Sequence, residues 1–456
     1  MFQYDMLARS LAAGNGFRWY AAPDLARIAP YLHINMAQVS LDPRGMLTTF
    51  RAPLYPAFLA VIYALNGIND GRFFDVRLAQ AALGALLAPL TYLLARTVFA
   101  SDTASTVGPE GEQPLSEKAS TLAAWAVAVY PMLVIFPLAL ATENLFFLLV
   151  LASVLALLQL PRLGGGRKAV LWGLFSGLLL GLAALTRSII LPFAALALLW
   201  IWFSLKLRWA ALAAAAALLL TVLPWVVRNS LLEHKLTGIE TSMGYNLYVG
   251  YYPDSTGTFA FGPSLDLLSI LNDGQRDAVG TQKAIAFMRA GPVRVPYLAV
   301  RRLGYFFNLE LRAFGYFYGN NFLGFIPLPV LLTILLVLSL PFVLLGVSAA
   351  FGWALLPRNQ QTLLLLLLFT AYLLPHVLIL SEERFHLALL SFIATSAAGF
   401  WVRGWHAVKS RGVLITGLAF VLIAFLLINW GFQLSQDGPT LLKMLGPEGN
   451  QLYLPY

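Results

Sequence analysis

Charged side chains stand at the ends of long apolar segments, where they are placed to do chemistry. Glu143 begins one apolar run and Arg187 ends another, while Arg51 precedes a shorter one, and Glu383 with Arg384 forms a charged turn. Ionisable residues beside hydrocarbon are costly to keep, and they commonly mark functional sites. A carboxylate such as Glu143 can act as a base or bind an acceptor. The arginines suit a phosphate or pyrophosphate, which a guanidinium group binds through two parallel hydrogen bonds.

Each of these residues also has a purely structural interpretation. Thr142 can cap the helix that follows, and Glu143 is then a first-turn carboxylate at the positive end of that helix. A lone arginine near a membrane surface more often extends its charge toward water than binds a ligand. The convergence of several arginines on one face beside Glu143 favours a binding site for an anionic headgroup.

A long polar segment carries a second candidate surface. Arg228 and Asn229 end an apolar run, and Gly244-Tyr-Asn246-Leu then leads to Gly250-Tyr-Tyr-Pro-Asp254. Aromatic rings interleaved with Asn, Asp and Gly are typical of sugar-binding surfaces. The alternative is an aromatic belt with turns at the membrane interface.

The elements that position these residues are apolar helices. The chain is 59% hydrophobic and only 11% charged, a balance that a soluble domain cannot accommodate. Its apolar runs have the length that a helix needs to cross the hydrocarbon layer, so we predict an all-α, polytopic helical membrane protein with about ten spanning helices. The predicted spans are 75–99, 119–140, 142–160, 169–186, 188–204, 208–228, 326–352, 361–380, 382–402 and 413–433.

Basic residues in short loops predict the orientation of these helices. Arg162, Arg167 and Lys168 form one basic loop, and similar loops contain Lys206/Arg208 and Arg403/Arg411. Lys and Arg favour the cytoplasmic side, so we expect these loops to lie in the cytoplasm.

Helix parity then divides the chain into five regions of a multi-pass plasma (inner) membrane protein. The charged turns and the candidate site are expected to be extracytoplasmic, and the apolar segment 53–67 is expected to form a short interfacial or re-entrant helix. The regions are a first outer loop (1–74), spanning helices (75–228), a long outer loop (229–325), spanning helices (326–433) and an outer tail (434–456).

Several kinds of site are not expected. The chain has no cysteine, and its five histidines are scattered without zinc-like spacing, so we predict no metal site. The Gly164–Gly166 triplet lacks the ending of a phosphate loop, and we predict no nucleotide-binding domain and no cofactor. The excess of positive charge lies at the ends of apolar runs, which indicates contact with membrane lipids rather than with nucleic acid.

Taken in order, these segments resemble the GT-C type of membrane glycosyltransferases, the relatives of protein O-mannosyltransferases and of the aminoarabinose transferase that modifies lipid A. The resemblance covers nearly the entire chain, although each motif is weak alone. The matching segments are Tyr4-Asp5-Met-Leu-Ala8, Gly14-Asn-Gly16-Phe17, Arg51-Ala-Pro53-Leu-Tyr55-Pro56, Arg77-Leu-Ala-Gln80, Thr142-Glu143-Asn-Leu-Phe146, Arg187, Trp225-Val-Val-Arg228-Asn229, Gly244-Tyr-Asn246-Leu247 and Glu383-Arg384-Phe385.

The resemblance implies inverting sugar transfer from a polyprenyl-phosphate donor, with an Asp of the first outer loop as base and arginines on the leaving phosphate. Relatives begin with a spanning helix and carry their acidic motif before the residue equivalent to Tyr4. We therefore expect that the chain lacks its first helix and that its original catalytic Asp falls at or before Met1. Asp5 is the candidate replacement, against the alternative of a solvated helix residue. Tyr55 is a further candidate for substrate binding.

The sequence thus predicts a transferase that moves a hexose or pentose from a polyprenyl-phosphate donor to a lipid, glycan or protein acceptor. A transporter or flippase of lipid-linked sugars is the alternative, but no internal repeat is evident and the charges gather at helix ends rather than at mid-bilayer. An O-antigen polymerase or ligase is a third possibility.

Overall fold

The computed structural model describes residues 2–32, 42–100 and 115–454, and this part of the chain is almost entirely helical. A single antiparallel pair of two-residue strands, β1 (Arg18–Trp19) and β2 (Met46–Leu47), closes a hairpin in which Arg18 pairs with Leu47. The α-helices are α1 (Phe2–Ala12), α2 (Ala22–Leu32), α3 (Leu54–Asn66), α4 (Arg72–Ala85), α5 (Leu87–Val98), α6 (Leu115–Ala128), α7 (Pro131–Ile135), α8 (Glu143–Leu157), α9 (Gly166–Thr186), α10 (Leu191–Leu199), α11 (Arg208–Glu233), α12 (Met243–Tyr251), α13 (Phe261–Asp266), α14 (Asp273–Ala290), α15 (Arg294–Phe306), α16 (Arg312–Gly319), α17 (Leu328–Leu355), α18 (Gln360–Leu378), α19 (Leu390–Lys409) and α20 (Val413–Met444).

Within the described ranges, eight helical segments are long and apolar enough to cross a bilayer. A ninth is added if the pair Leu115–Ala128 and Pro131–Leu138, bent by 53°, forms one broken span. The prediction of an all-α, polytopic membrane protein is therefore confirmed. The eight segments are Arg72–Val98, Glu143–Arg162, Gly166–Thr186, Arg208–Glu233, Leu328–Leu355, Gln360–Leu378, Glu383–Lys409 and Val413–Met444.

The structure differs from the predicted set of about ten spans at two segments. The predicted span 119–140 is the bent pair Leu115–Ala128 and Pro131–Leu138, and the predicted span 188–204 is a shorter segment. Ser188–Ser204 is apolar but shorter than the others. It begins with a 3₁₀ turn at Ser188–Ile190 and ends in a π-helical turn at Trp200–Ser204, so its backbone is irregular at both ends. The expected short helix at 53–67 is found at Leu54–Asn66. Its interfacial position, and the side that each loop faces, remain predictions.

The chain divides into two compact units. The first unit comprises Met1–Gly84, Phe136–Ala299 and Thr370–Leu380, and the second comprises Ala85–Ile135, Val300–Phe369 and Ser381–Tyr456. Each unit is built from segments that are far apart in the sequence, so neither corresponds to a continuous stretch of chain.

Close packing of α9 against α11 forms part of the first unit. A Cβ atom added to Gly173 or Gly177 would clash with the backbone carbonyl of Ala210 or Ala214. Small residues at four-residue spacing allow two membrane helices to approach this closely. In the same unit α1 packs on α3, where Ala8, Tyr55 and Leu59 share one buried cluster.

The second unit has a comparable close contact between α17 and α19. A Cβ atom on Gly352 would meet the backbone of Ser396, and most of α19 is buried. Gln433 of α20 accepts a hydrogen bond from the backbone N–H of Leu309 at 2.7 Å and donates one to its carbonyl at 3.1 Å. The loop after α15 is thereby held against α20.

Candidate functional site

Arg51 donates its hydrogen bonds to a neutral side chain. Its Nε and Nη2 atoms donate to Oε1 of Gln3 at 3.0 and 2.7 Å. The guanidinium carbon lies 4.8 Å from the ring centre of Phe50 and 5.5 Å from that of Tyr4. In the part of the chain that the structure describes, no carboxylate forms an ion pair with Arg51, so its charge is available to an anion.

Tyr55 joins this arginine to the segment before Glu143. The rings of Tyr4 and Tyr55 meet edge to face at 5.3 Å, and the Tyr55 hydroxyl donates to Oε1 of Gln80 at 2.6 Å. The amide of Gln80 donates in turn to the carbonyls of Pro137 and Ala139 at 2.7 and 3.1 Å. Because these bonds fix the turn that leads into α8, they also fix the position of Glu143.

Glu143 and Arg187 form a buried ion pair at 2.5 Å. Glu143 is 5% exposed, whereas one fifth of the Arg187 side chain reaches the surface. The Thr142 hydroxyl donates to the second carboxylate oxygen of Glu143 at 3.0 Å and does not cap the helix. The capping interpretation of Thr142 is therefore wrong. Because Arg187 is partly exposed, an anionic ligand can reach its guanidinium group and compete with Glu143 for it.

Asp5 lies in a buried network of charges rather than at a solvated surface. Its carboxylate accepts hydrogen bonds at 2.9 Å from each of Arg9, Arg72 and Tyr63, and Arg9 also binds Asp24. Burial alone would raise the pKa of Asp5, but the bonds from Arg72, Arg9 and Tyr63 together hold that pKa below its ordinary value. The carboxylate is thus ionised and ties α1 to α3 and α4.

Arg228 is occupied in holding the β-hairpin. Its Nη1 atom donates to the Thr48 carbonyl at 2.6 Å and to Oδ1 of Asn229 at 2.8 Å. Its guanidinium group also lies over the rings of Trp225 and Phe17, with its carbon 4.6 and 5.6 Å from their centres. These contacts fix the backbone just before Arg51, so Arg228 positions the site through the hairpin.

Asn246 lies on α12, whose packing depends on a close backbone approach. A Cβ atom on Gly244 would clash with the Asp277 carbonyl of α14, and Gly244 N–H donates to the Asp277 carboxylate at 2.6 Å. Asn246 is half-buried, and its side-chain amide has no hydrogen-bond partner among the described residues.

Glu383 and Arg384 belong to the second unit, where each has a local partner. One Glu383 oxygen accepts the backbone N–H of Arg312 at 2.8 Å, which places a carboxylate at the positive end of α16. Arg384 pairs with Glu382 at 2.8 Å. These contacts give both residues a structural role within that unit.

The second unit also contains a polar cluster that sequence reasoning missed. His386 is fully buried, with Nδ1 at 2.8 Å from the Phe306 carbonyl and Nε2 at 2.7 Å from Glu310. The Tyr130 hydroxyl donates to the same Glu310 oxygen at 2.9 Å. Since the carbonyl requires a proton on Nδ1, a second proton must lie between Nε2 and Glu310. The three residues are far apart in the sequence, so no local pattern could have indicated this cluster.

The first unit therefore brings Arg51, Tyr55, Glu143 and Arg187 into one connected set of contacts. Asp5 is linked to the set through α3, and Arg228 through the hairpin. Among the described residues, no three His, Asp or Glu side chains are placed to hold a metal ion.

No protein-family model matches the chain, and no curated protein matches it. Solved structures do resemble it. The oligosaccharyltransferase of Archaeoglobus fulgidus, solved with zinc and sulfate, has 16% sequence identity and a TM-score of 0.47, and the match covers 100% of this chain. The chain spans about half (53%) of the length of that protein.

ArnT from Cupriavidus metallidurans resembles the chain in two states. The apo structure has 14% identity and a TM-score of 0.35, over 86% of this chain and 72% of ArnT. The structure with undecaprenyl phosphate has 14% identity and a TM-score of 0.36, over 98% of this chain and 76% of ArnT. Both kinds of protein belong to the glycosyltransferase group that the sequence motifs resemble.

Proposed function

We propose that the chain is a membrane glycosyltransferase that moves a hexose or pentose from a polyprenyl-phosphate donor to a lipid, glycan or protein acceptor. The reaction takes place at the outer face of the plasma membrane. The observation that carries the proposal is Arg51, a guanidinium group with no carboxylate partner in the described part of the chain, set between two aromatic rings. Such a group suits a phosphate that is attached to a sugar, since it binds the anion while nearby rings can stack on the sugar.

Glu143 is the better candidate for the base. Asp5 already accepts hydrogen bonds from two arginines and a tyrosine, and protonation of Asp5 would weaken all of them. Glu143 is paired with an arginine that reaches the surface. A donor phosphate that binds Arg187 would draw it away from Glu143 and leave that carboxylate free to accept a proton.

The reaction then proceeds in one displacement. Glu143 takes the proton of the acceptor hydroxyl as that oxygen bonds to the anomeric carbon of the sugar. The bond from the anomeric carbon to the phosphate oxygen breaks, and its electron pair stays on the phosphate. Arg51 and Arg187 stabilise the negative charge that develops there. In this assignment Asp5, Tyr55 and Arg228 position the reacting groups, and the half-buried amide of Asn246 binds a substrate hydroxyl.

The test is a transfer assay in membranes that carry the full chain, supplied with polyprenyl-phosphate hexose or pentose. We expect Glu143→Gln, Arg187→Ala and Arg51→Ala each to lower the rate at least about tenfold, equivalent to about 1.4 kcal/mol of transition-state stabilisation. Arg289→Ala is the matched control, because Arg289 is an exposed arginine of the same unit. Full activity in one of the three variants would remove that residue from the site.

A further inference from the structure

Tyr20 has a backbone conformation that residues other than glycine rarely adopt. It follows strand β1 and has a φ of 56°, in the left-handed region. Only surroundings that fix such a residue firmly can keep it there, and residues of this kind cluster at binding sites.

The surroundings of Tyr20 form an aromatic box with Arg51 at its edge. Tyr20 stacks on Trp19 with ring centres 4.6 Å apart, and Trp19 lies against Phe50 at 5.4 Å. The guanidinium group of Arg51 lies over the ring of Phe50. The rings of Tyr245 and Phe50 meet edge to face, with their centres 5.4 Å apart. The rings thus form a continuous chain of contacts from Tyr20 to Arg51.

The hydroxyl of Tyr20 has no hydrogen-bond partner among the described residues, although the side chain is only 3% exposed. The hydroxyl of a tyrosine whose side chain is mostly buried usually finds a partner. The Trp19 Nε1 atom, in the same box, is a buried donor without a partner in the described part of the chain. A cation without a carboxylate partner and two donors without acceptors, as far as the described residues go, indicate a ligand that offers several acceptor oxygens and negative charge.

Other charges near Tyr20 are compatible with such a ligand. The positive charges of Arg276 and Arg51 lower the pKa of the Tyr20 hydroxyl, and the negative charge of Asp273 raises it. The Asp273 carboxylate forms an ion pair with Arg276 at 2.8 Å. It also accepts hydrogen bonds from the Thr48 hydroxyl and the Thr49 N–H. Burial raises the pKa of Tyr20 to about 12, so the phenol keeps its proton at neutral pH and can donate it.

We propose that Tyr20 and Arg51 together bind the phosphate group of a polyprenyl phosphate, with the Tyr20 hydroxyl donating a hydrogen bond to a phosphate oxygen. The inference rests on the proposed function, because it assigns the phosphate to the lipid-linked donor. The shared chemistry is a phosphate group, which could also come from a membrane phospholipid or from free phosphate.

Binding measurements test the role of Tyr20 and Arg51 independently of any sugar transfer. The full chain, in nanodiscs of neutral lipid, is titrated with polyprenyl phosphate, phosphatidic acid or inorganic phosphate. We expect wild-type protein to bind polyprenyl phosphate more tightly than the other two. Tyr20→Phe keeps the stacked ring and should weaken that binding about tenfold, the usual cost of a lost hydrogen bond to a charged group.

Two further variants complete the series. Arg51→Gln should weaken binding at least as much as Tyr20→Phe does, and it serves as the second test if Tyr20→Phe is unstable. Tyr297→Phe is the matched control, because Tyr297 is an exposed tyrosine of the same unit, and it should bind as wild type does.

The inference is overturned if Tyr20→Phe and Arg51→Gln bind polyprenyl phosphate as tightly as wild type. It is also overturned if phosphatidic acid or inorganic phosphate binds as tightly as polyprenyl phosphate. Binding of polyprenyl phosphate that depends on Tyr20, in protein that transfers no sugar, would support this inference while contradicting the proposed function.

Discussion

Arg51 and Arg187 differ in their partners: Arg187 is paired with a carboxylate, and Arg51 is bonded to a neutral amide. This difference predicts the order in which the two arginines meet an anion. Arg187 pairs with the Glu143 carboxylate at 2.5 Å, whereas the hydrogen bonds of Arg51 within the described ranges go only to the neutral amide of Gln3. An unpaired guanidinium group can accept an anion at once, while a paired one must first exchange its partner. We therefore infer that Arg51 contacts the donor phosphate before Arg187 does.

Asp5 illustrates a residue whose charge stabilises the fold. Its folded pKa is depressed by Arg72, Arg9 and Tyr63, so its contribution is present above the unfolded value of about 4 and is lost as the pH falls through the folded value. We expect the melting temperature of the wild-type protein to fall as the pH is lowered below about 4, and Asp5→Asn to show a weaker dependence.

At neutral pH, Asp5→Asn should cost on the order of 2 kcal/mol, less than a fully enclosed pair because one quarter of the Arg9 side chain is exposed. Thermal melting in detergent, at neutral pH and over a pH series, measures both the loss of stability and its pH dependence. Asp254→Asn, at an exposed position of the same unit, should leave stability nearly unchanged. Identical pH profiles for Asp5→Asn and wild type would show that the network does not act in this way.

At the scale of elements, the packing of α9 on α11 depends on glycine. The carbonyl of Ala214 occupies the place that a Cβ atom on Gly177 would need. Gly177→Leu should therefore push the helices apart and cost at least about 3 kcal/mol, through overpacking and lost contacts. Folded yield and melting temperature measure the effect.

The matched control is Gly417→Leu on α20, since nothing lies within 4 Å of a Cβ atom there. This variant should fold as wild type does. Equal yields for the two leucine variants would contradict the close contact between α9 and α11.

Most of these elements were predictable because hydropathy alone marks a membrane helix. The predicted spans at 208–228 and 326–352 correspond to α11 and α17, with ends that differ by a few residues. The irregular ends of Ser188–Ser204 were not predictable, because apolar composition does not distinguish a regular α-helix from one with 3₁₀ and π turns. The β1–β2 hairpin was also missed, because two-residue strands leave no alternating pattern.

The candidate site was predictable only in part. Residue types and helix ends indicated Glu143 and Arg187, which the structure pairs. The hairpin contacts of Arg228 and the aromatic box around Tyr20 depend on residues distant in the sequence. Such contacts follow from tertiary packing, which no local pattern encodes.

At the scale of the whole molecule, the orientation inferred from basic loops can be tested directly. The chain has no cysteine, so single cysteines report on one position each. Asp254→Cys should react with a membrane-impermeant thiol reagent in intact cells, because residues 229–325 are predicted to lie outside.

Arg167→Cys, in a loop predicted to be cytoplasmic, is the paired control. It should react only after the cells are permeabilised. The reverse pattern would invert the topology and would place the candidate site in the cytoplasm.

For the whole molecule, the central question is whether it transfers the sugar or transports the intact lipid-linked sugar. One measurement distinguishes these two activities. Purified chain is reconstituted in vesicles with a radiolabelled polyprenyl-phosphate sugar and an envelope extract as acceptor. The labelled sugar and the labelled lipid are then followed together. We predict that sugar leaves the lipid and appears on the acceptor, and that Glu143→Gln abolishes this transfer. Movement of the intact lipid-linked sugar across the bilayer, with no sugar released from the lipid, would contradict the account and identify a transporter.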